Sequence, residues 1–316
     1  MIVGVLRRLL LGIVTLWITS ILVFAATELL PGDVATAILG QQATAEAAAA
    51  IREQLGLDRS PIVRYADWLS GLVRGDFGTS LASRRPVAEM LESRLSNTLM
   101  LAVATALVAV PLSLAIGLLG AANPDSWLDR GTSVFSLVVI SAPEFFIGAV
   151  FVLLFAVHWG LFPAVTSAAA LDSPGRLLHA LTLPVLTLTM AMLAHMVRMT
   201  RAAVLDVLRS PYIEMAILKG ASKLRIVLRH ALPNALGPIA NVVALNLGYL
   251  ISGVVVVETV FTYPGLGRLM VDAVASRDIP VVQATALIFC AAYVVLNIVA
   301  DSVSILANPR LRFARR

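Results

Sequence analysis

Six long apolar runs divide the chain, and shorter polar stretches separate them. The runs cover about Leu9–Leu30, Asn97–Ala121, Gly131–Val157, Leu177–Met199, Asn234–Val257 and Ile279–Leu306. Each is long enough for an α-helix to cross a bilayer, which takes roughly 20 residues. The pattern predicts an all-α polytopic membrane protein with six transmembrane helices and both termini on one side. Arg7 and Arg8 precede the first run, as in a signal peptide. The run is long for that, and AATELLPG is a poor cleavage site, so an uncleaved first span is expected. Spans two to five carry Pro111, Pro143, Pro184 and Pro238. Proline removes a backbone hydrogen bond and bends a helix. Simple packing kinks are one reading, and a bundle that rocks between two arrangements is the other.

Three polar stretches carry structure of their own. Between the first two spans, Ala43–Leu55 is Ala-rich and helix-prone. Pro61–Val73 predicts a second helix, with Tyr65, Trp68, Leu69 and Leu72 on its apolar side. Residues 31–96 hold seven Arg against eight Asp and Glu, a near balance that fits an external cap lying on the membrane. The second stretch is Ser210–Pro233, SPYIEMAILKGASKLRIVLRHALP, which contains both lysines of the chain, Lys219 and Lys223. Ser210 suits an N-cap and Pro211 the first helical position. Ile213, Ala216 and Ile217 share one helical face, and Gly220 is placed to end the helix. A second helical run, Lys223 to Leu232, is expected before Pro233, which makes a helix–Gly–helix elbow between two spans. In the third stretch, Pro264-Gly265-Leu266-Gly267 forces a turn after the fifth span, and a short amphipathic helix comes next.

Composition narrows the class. Of 316 residues, 59% are hydrophobic and 14% charged, against about a quarter charged in soluble domains. The net charge of +5 reflects topology: the inner segments of the six-span scheme hold 14 Lys and Arg against 5 acids, the outer ones 10 against 12. That bias places the N- and C-termini and the elbow in the cytoplasm. No basic surface interleaved with aromatics points to nucleic acid. No G-x-x-x-x-G-K-[ST] is present, so the chain has no phosphate cradle with which to hydrolyse ATP. No His and Cys stand at zinc-binding spacing, and a serine-based intramembrane protease would rest on Ser252 and a remote His alone. Cys290 is the single cysteine and reads as a small packing residue within the last span.

Some polar residues lie inside the spans. Glu144 is an intramembrane carboxylate, a functional candidate by default. It either meets a cationic group of a substrate, such as a peptide α-amine, or bonds to a neighbouring helix. Asn241 and Ser252 share a face of the fifth span and are the companion candidates for a polar pathway; Asn246 stands about 140° round from Asn241. Interhelical hydrogen bonding is the other reading of all three. Met190, Met192, His195, Met196 and Met199 crowd the fourth span, either as packing or as soft ligands for a metal or haem.

Glu214, Ala216, Gly220, Leu232 and Pro233 follow E-x-A-x3-G-x11-L-P. This resembles the EAA loop of bacterial ABC-importer permeases. KGASKLRIVLRHALPNAL is similar to the dipeptide/oligopeptide branch of that family, with Met215 in place of the second Ala and His230 where Ile is usual. LLPGD, LGLDRSPIVRYADWL, GDFGTSL and RPVAEML, in that order, resemble its N-terminal third, and ETVF-x2-PGLG resembles its external loop. The resemblance spans nearly the whole chain. It implies the type I importer permease fold: a first transmembrane helix (1–30), an external helical cap (31–96), a five-helix core (97–306) and a cytoplasmic tail (307–316). Within the core it implies a coupling loop at 210–233 and an external loop at 258–278. By resemblance, Tyr212, Glu214, Met215, Ala216, Lys219, Gly220, Ala221 and Ser222 couple to an ATPase, and Glu258, Pro264, Gly265 and Gly267 belong to an external gate. The implied setting is the bacterial cytoplasmic membrane and its lipid. The implied partners are a second homologous permease, two ABC ATPases and an external solute-binding protein. The chain would bind no cofactor, and ATP and Mg would sit on the ATPases. The implied function is import of di- or oligopeptides by alternating access. Glutathione, a nickel chelate or haem as cargo stays open, and so, more remotely, does a secondary transporter.

Overall fold

The computed structural model describes residues 2–29, 44–46, 49, 58–167 and 173–307. Among them the regular elements are helices, and the one β-bridge pairs Thr79 with Pro86. The helices are α1 (Ile2–Glu28), α2 (Pro61–Val73), α3 (Val87–Ala122), α4 (Trp127–Ser141), α5 (Glu144–Phe151), α6 (Pro174–Leu208), α7 (Pro211–Leu218), α8 (Leu232–Val260), α9 (Leu266–Ala275) and α10 (Ile279–Ala307). Among the described residues five helical runs are long and apolar enough to cross a membrane: Leu6–Glu28, α3, α6, Ile226–Val260 and Ile279–Val299. The bent pair α4–α5 makes a sixth if counted as one span. The expected helix over Ala43–Leu55 falls largely outside the described residues.

Apolar side chains open to the surroundings, such as Leu10, Leu107 and Val138, are what a lipid-facing surface requires. Helices suit that solvent because they satisfy their own backbone groups. The chain forms two compact units. One is built mainly from Leu99–Tyr263. Its centre is the α6–α8 packing, where Leu183, Leu188, Met192 and Met196 meet Leu250, Val254 and Val257. The other unit is built from Leu10–Thr98 and Pro264–Val294. Within it Val87 and Leu91 of α3 pack with Leu266, Leu269 and Ala273 of α9 and Val281 of α10. There α2 keeps the predicted bounds and half-buries Tyr65, Trp68, Leu69 and Leu72. Tyr65 and Trp68 stack on Phe24 of α1 at 5.4 and 5.7 Å, and Arg64 pairs with Glu28 at 2.5 Å.

The structure corrects two predicted elements. The third span, expected as one helix over Gly131–Val157, is α4 and a second arm, Glu144–His158, meeting at 103°; in that arm π-helical turns at Val152–His158 continue α5. The residue before a proline avoids the helical region. Ala142 is extended accordingly (φ −95°, ψ 130°), and Pro143 comes after it (φ −60°, ψ 143°). Pro111, Pro184 and Pro238, by contrast, sit inside continuous helices. The second correction is in the elbow. Its second arm is not a helix that stops before Pro233. One turn at Lys223–Arg225 passes into π-helical turns at Ile226–Ala231 and then straight into α8. A prolyl ring clashes with the carbonyl four residues back, and π turns shift the bonding to the fifth residue. That lets the span run on through Pro233.

Candidate coupling elbow and membrane cavity

The first arm of the elbow is α7, eight residues that start at Pro211. Ser210 holds the N-cap position (φ −77°, ψ 147°), but its hydroxyl donates to the Val207 carbonyl rather than capping α7. The C-terminus closes as a Schellman motif: Gly220 N–H donates to Ile217 O at 2.9 Å and Ala221 N–H to Ala216 O at 3.2 Å. The motif needs a left-handed residue at the first of those donors, and Gly220 supplies it at φ +77°. So the fixed spacing of Ala216 and Gly220 has a physical reason: they are two ends of one helix stop.

Ile213 is fully buried and anchors α7 to its own unit. Ala216 is half-buried, and Ile217, expected on the same face, is largely open. Tyr212, Glu214, Met215, Leu218, Lys219 and Ser222 are exposed, and Ala221 is half-buried. Tyr212 Oη reaches His230 O at 3.4 Å. Glu214 and Lys219 have no ion-pair partner among the described residues. Behind the elbow lies a cavity of about 640 Å³, lined by Ile213, Ile217 and Ala221, by Arg201 of α6 and by Arg209 just past its end. Nearby, Arg201 grips Asp129 of α4 through two bonds of 2.5 and 2.7 Å. Asp129 is buried in the first turn of α4, where it also accepts from Asp125 N–H at 3.0 Å.

A second cavity, of about 430 Å³, lies between α5, α6 and α8. Glu144, Ser252, Asn246, His195, Met192 and Met199 are among its lining residues. Two of the three expected pathway residues, Glu144 and Ser252, are therefore brought together. Asn241 is not with them; it is exposed elsewhere on α8, and Asn246 takes its place. The helical phase held the signal. Asn246 falls on the buried stripe Val242, Asn246, Leu250, Gly253, Val257, and Asn241 falls off it. Met196 lies in the apolar core. Among the described residues no group of three or more His, Cys, Asp or Glu could hold a metal ion.

Glu258, expected in the external loop, is fully buried at the end of α8. Its carbonyl accepts from Tyr263 N–H at 2.8 Å. Burial, reinforced by the Glu258 charge, pushes the Tyr263 phenol well above its ordinary range. Gly265 stands at the N-cap position of α9, and Gly267 is buried within that helix. The turn is pinned by Asn97, which donates to Pro264 O at 2.8 Å, and by Thr98, which accepts from Leu266 N–H at 2.7 Å. Sequence reasoning missed Asp278, whose carboxylate accepts from the Ser80 hydroxyl and from Leu81 N–H at 3.0 Å.

Residues 109–313 match the family described as binding-protein-dependent transport system inner membrane component, and residues 1–102 match its N-terminal counterpart. The chain belongs to this family. It is a permease subunit of an ABC importer, a multi-span protein of the inner membrane, and not itself an enzyme. Such a permease works with an ATPase and a solute-binding protein. Over 309 residues the permease is 40% identical to the glutathione transport system permease proteins GsiC of Salmonella typhi and Escherichia coli (strain K12), covering 98% of each chain.

Proposed function

We propose that this permease pairs with a second, similar permease and moves short peptides, glutathione among them, into the cytoplasm by alternating access. The observation that carries the coupling role is α7. It is a short helix with its own stop signal, one buried anchor and the open apolar side chains Met215 and Leu218. An isolated helix of eight residues does not hold itself together in water. This one is closed at its C-terminus, is anchored near its start by buried Ile213, and offers a face for another subunit. In this reading two ATPases carry ATP and Mg, and their closure pushes the elbow from Tyr212 to Ser222. The positive-inside bias puts that elbow and both termini in the cytoplasm, and the turn of Pro264, Gly265 and Gly267 on the side of the binding protein. Peptide cargo is drawn from the family branch, and glutathione, itself a tripeptide, from the names of the relatives.

The test is affinity recovery of the tagged chain from solubilised membranes, with mass spectrometry of its companions. Recovery of a second permease and an ATPase, the ATPase lost on replacing Glu214 and Gly220, supports the reading. A chain recovered alone that still moves solute without ATP overturns it in favour of a secondary carrier. Uptake of labelled dipeptide and glutathione then decides the cargo.

A further inference from the structure

Glu144 opens α5 just after the Ala142–Pro143 break, and its carboxylate lies against the backbone of Gly253 on α8. A methyl group on Gly253 would stand 2.7 Å from Oε2 and 3.2 Å from Oε1, so the absence of a side chain there is what seats the carboxylate. Neither oxygen has a hydrogen-bond or ion-pair partner among the described residues. A carboxylate within an apolar membrane unit is costly unless something neutralises it. No Lys or Arg lines the cavity it faces. Its polar lining is the Glu144 carboxylate, the Ser252 hydroxyl, the His195 and Tyr249 side chains, and the Asn246 side chain, whose NH2 donates to Val242 O at 2.8 Å and leaves its carbonyl oxygen to accept. A primary ammonium carries three donors and no acceptor. An unpaired carboxylate with hydroxyl and amide oxygens in the same lining, in a space of about 430 Å³, suits that group.

We propose that this cavity receives the free ammonium group of the cargo, with Glu144 as its counter-charge, so that the permease selects for an unblocked amine. The proposal rests on the peptide reading above for its cargo, but the charge preference of the cavity can be measured without it. The assembled transporter would carry Ser252→Cys in a Cys290→Ser background, reconstituted in vesicles. The rates of labelling by 2-aminoethyl and 2-sulfonatoethyl methanethiosulfonate would be compared, with Glu144 intact and with Glu144→Gln. An unpaired carboxylate at this range should favour the cationic reagent about tenfold beyond its intrinsic advantage. Glu144→Gln should abolish that excess and Glu144→Asp should keep it. In parallel, uptake of a dipeptide and of its N-acetyl form would be measured. The wild type should admit the free peptide at least about tenfold faster, a difference of about 1.4 kcal/mol in barrier height. Glu144→Gln should erase the gap.

A labelling ratio unchanged by Glu144→Gln overturns the proposal whatever the cargo is; a basic side chain of the second permease already pairing with Glu144 would give that result. A ratio that falls while wild type admits both peptides equally overturns the ammonium assignment. A ratio that falls while wild type admits neither peptide supports Glu144 as a cation site and defeats the peptide reading instead.

Discussion

Two of the breaks between helices of the Leu99–Tyr263 unit are built in opposite ways. At the elbow, one glycine at φ +77° and two backbone hydrogen bonds end the first helix, and most side chains around it are open. At Ala142–Pro143, two extended residues turn the chain by 103°, and the glycines around this turn are closely packed. A Cβ at Gly148 would stand 3.3–3.4 Å from Val260, Phe261 and Thr187, and one at Gly253 would meet the Glu144 carboxylate. The first break is held by local backbone chemistry and can keep its shape while another subunit grips it. The second lies in an apolar sequence, where freed backbone groups cannot turn to water, so neighbours must hold it. Substitutions in the packed region should therefore cost stability, and substitutions at the elbow should cost coupling.

The largest stability effect is expected at neither break but at the ion pair that joins α4 to α6. Asp129→Ala leaves Arg201 without its carboxylate partner, and breaking a buried pair from one side is strongly destabilising. Arg201 keeps 29% of its side-chain surface exposed, so a loss of about 2 kcal/mol is expected rather than the full buried value. Thermal unfolding of the purified complex in detergent reads it. Asp129→Ala with Arg201→Leu should recover much of the loss, because no charge is then left stranded. A double variant as unstable as the single one would mean that the ion pair is not what joins α4 to α6.

The elbow should answer differently. Gly220→Val puts a β-branched residue at a left-handed position, a local cost of about 1–2 kcal/mol. Nothing stands within 4 Å of the added Cβ, so the strain stays in the turn. The complex should assemble with near-normal melting, while uptake falls at least about tenfold, equivalent to about 1.4 kcal/mol. Vesicle uptake measured beside ATP hydrolysis checks this. Normal uptake would remove Gly220 from the coupling role.

The same contrast explains what could be read from the chain alone. The elbow was legible because Pro211, Ala216 and Gly220 act within ten residues, by rules that need no partner. The helix Pro61–Val73 was legible for the same reason. The break at Pro143 was not, because four spans carry a proline and the sequence treats them alike. Only the packing of Gly148 and Gly253 shows which one turns the chain. The exchange of Asn246 for Asn241 has a related cause: helical spacing sets the angle between them, but which face turns inward is set by the Leu188 and Met192 side of α6. The run through Pro233 was hidden as well, since π-helical turns leave no pattern that periodicity detects.

Gly253→Ala is the smallest change, and it sharpens the comparison most. A methyl group there would meet Glu144 Oε2 at 2.7 Å and Leu188 Cδ2 at 3.2 Å. Both are the far ends of flexible side chains, so the helices need not move. Overpacking costs about 1–3 kcal/mol where nothing yields, and replacing a mid-helix glycine by alanine returns about 1 kcal/mol. The two nearly offset, so melting should shift far less than for Asp129→Ala. The carboxylate, however, must leave its seat, and the preference for a free over an N-acetylated peptide should shrink. If melting instead fell as far as for Asp129→Ala, Gly253 would be a contact on which the α5–α8 packing depends, and the carboxylate would be a passenger. A loss of preference at nearly constant stability would show that the packed break exists to place Glu144.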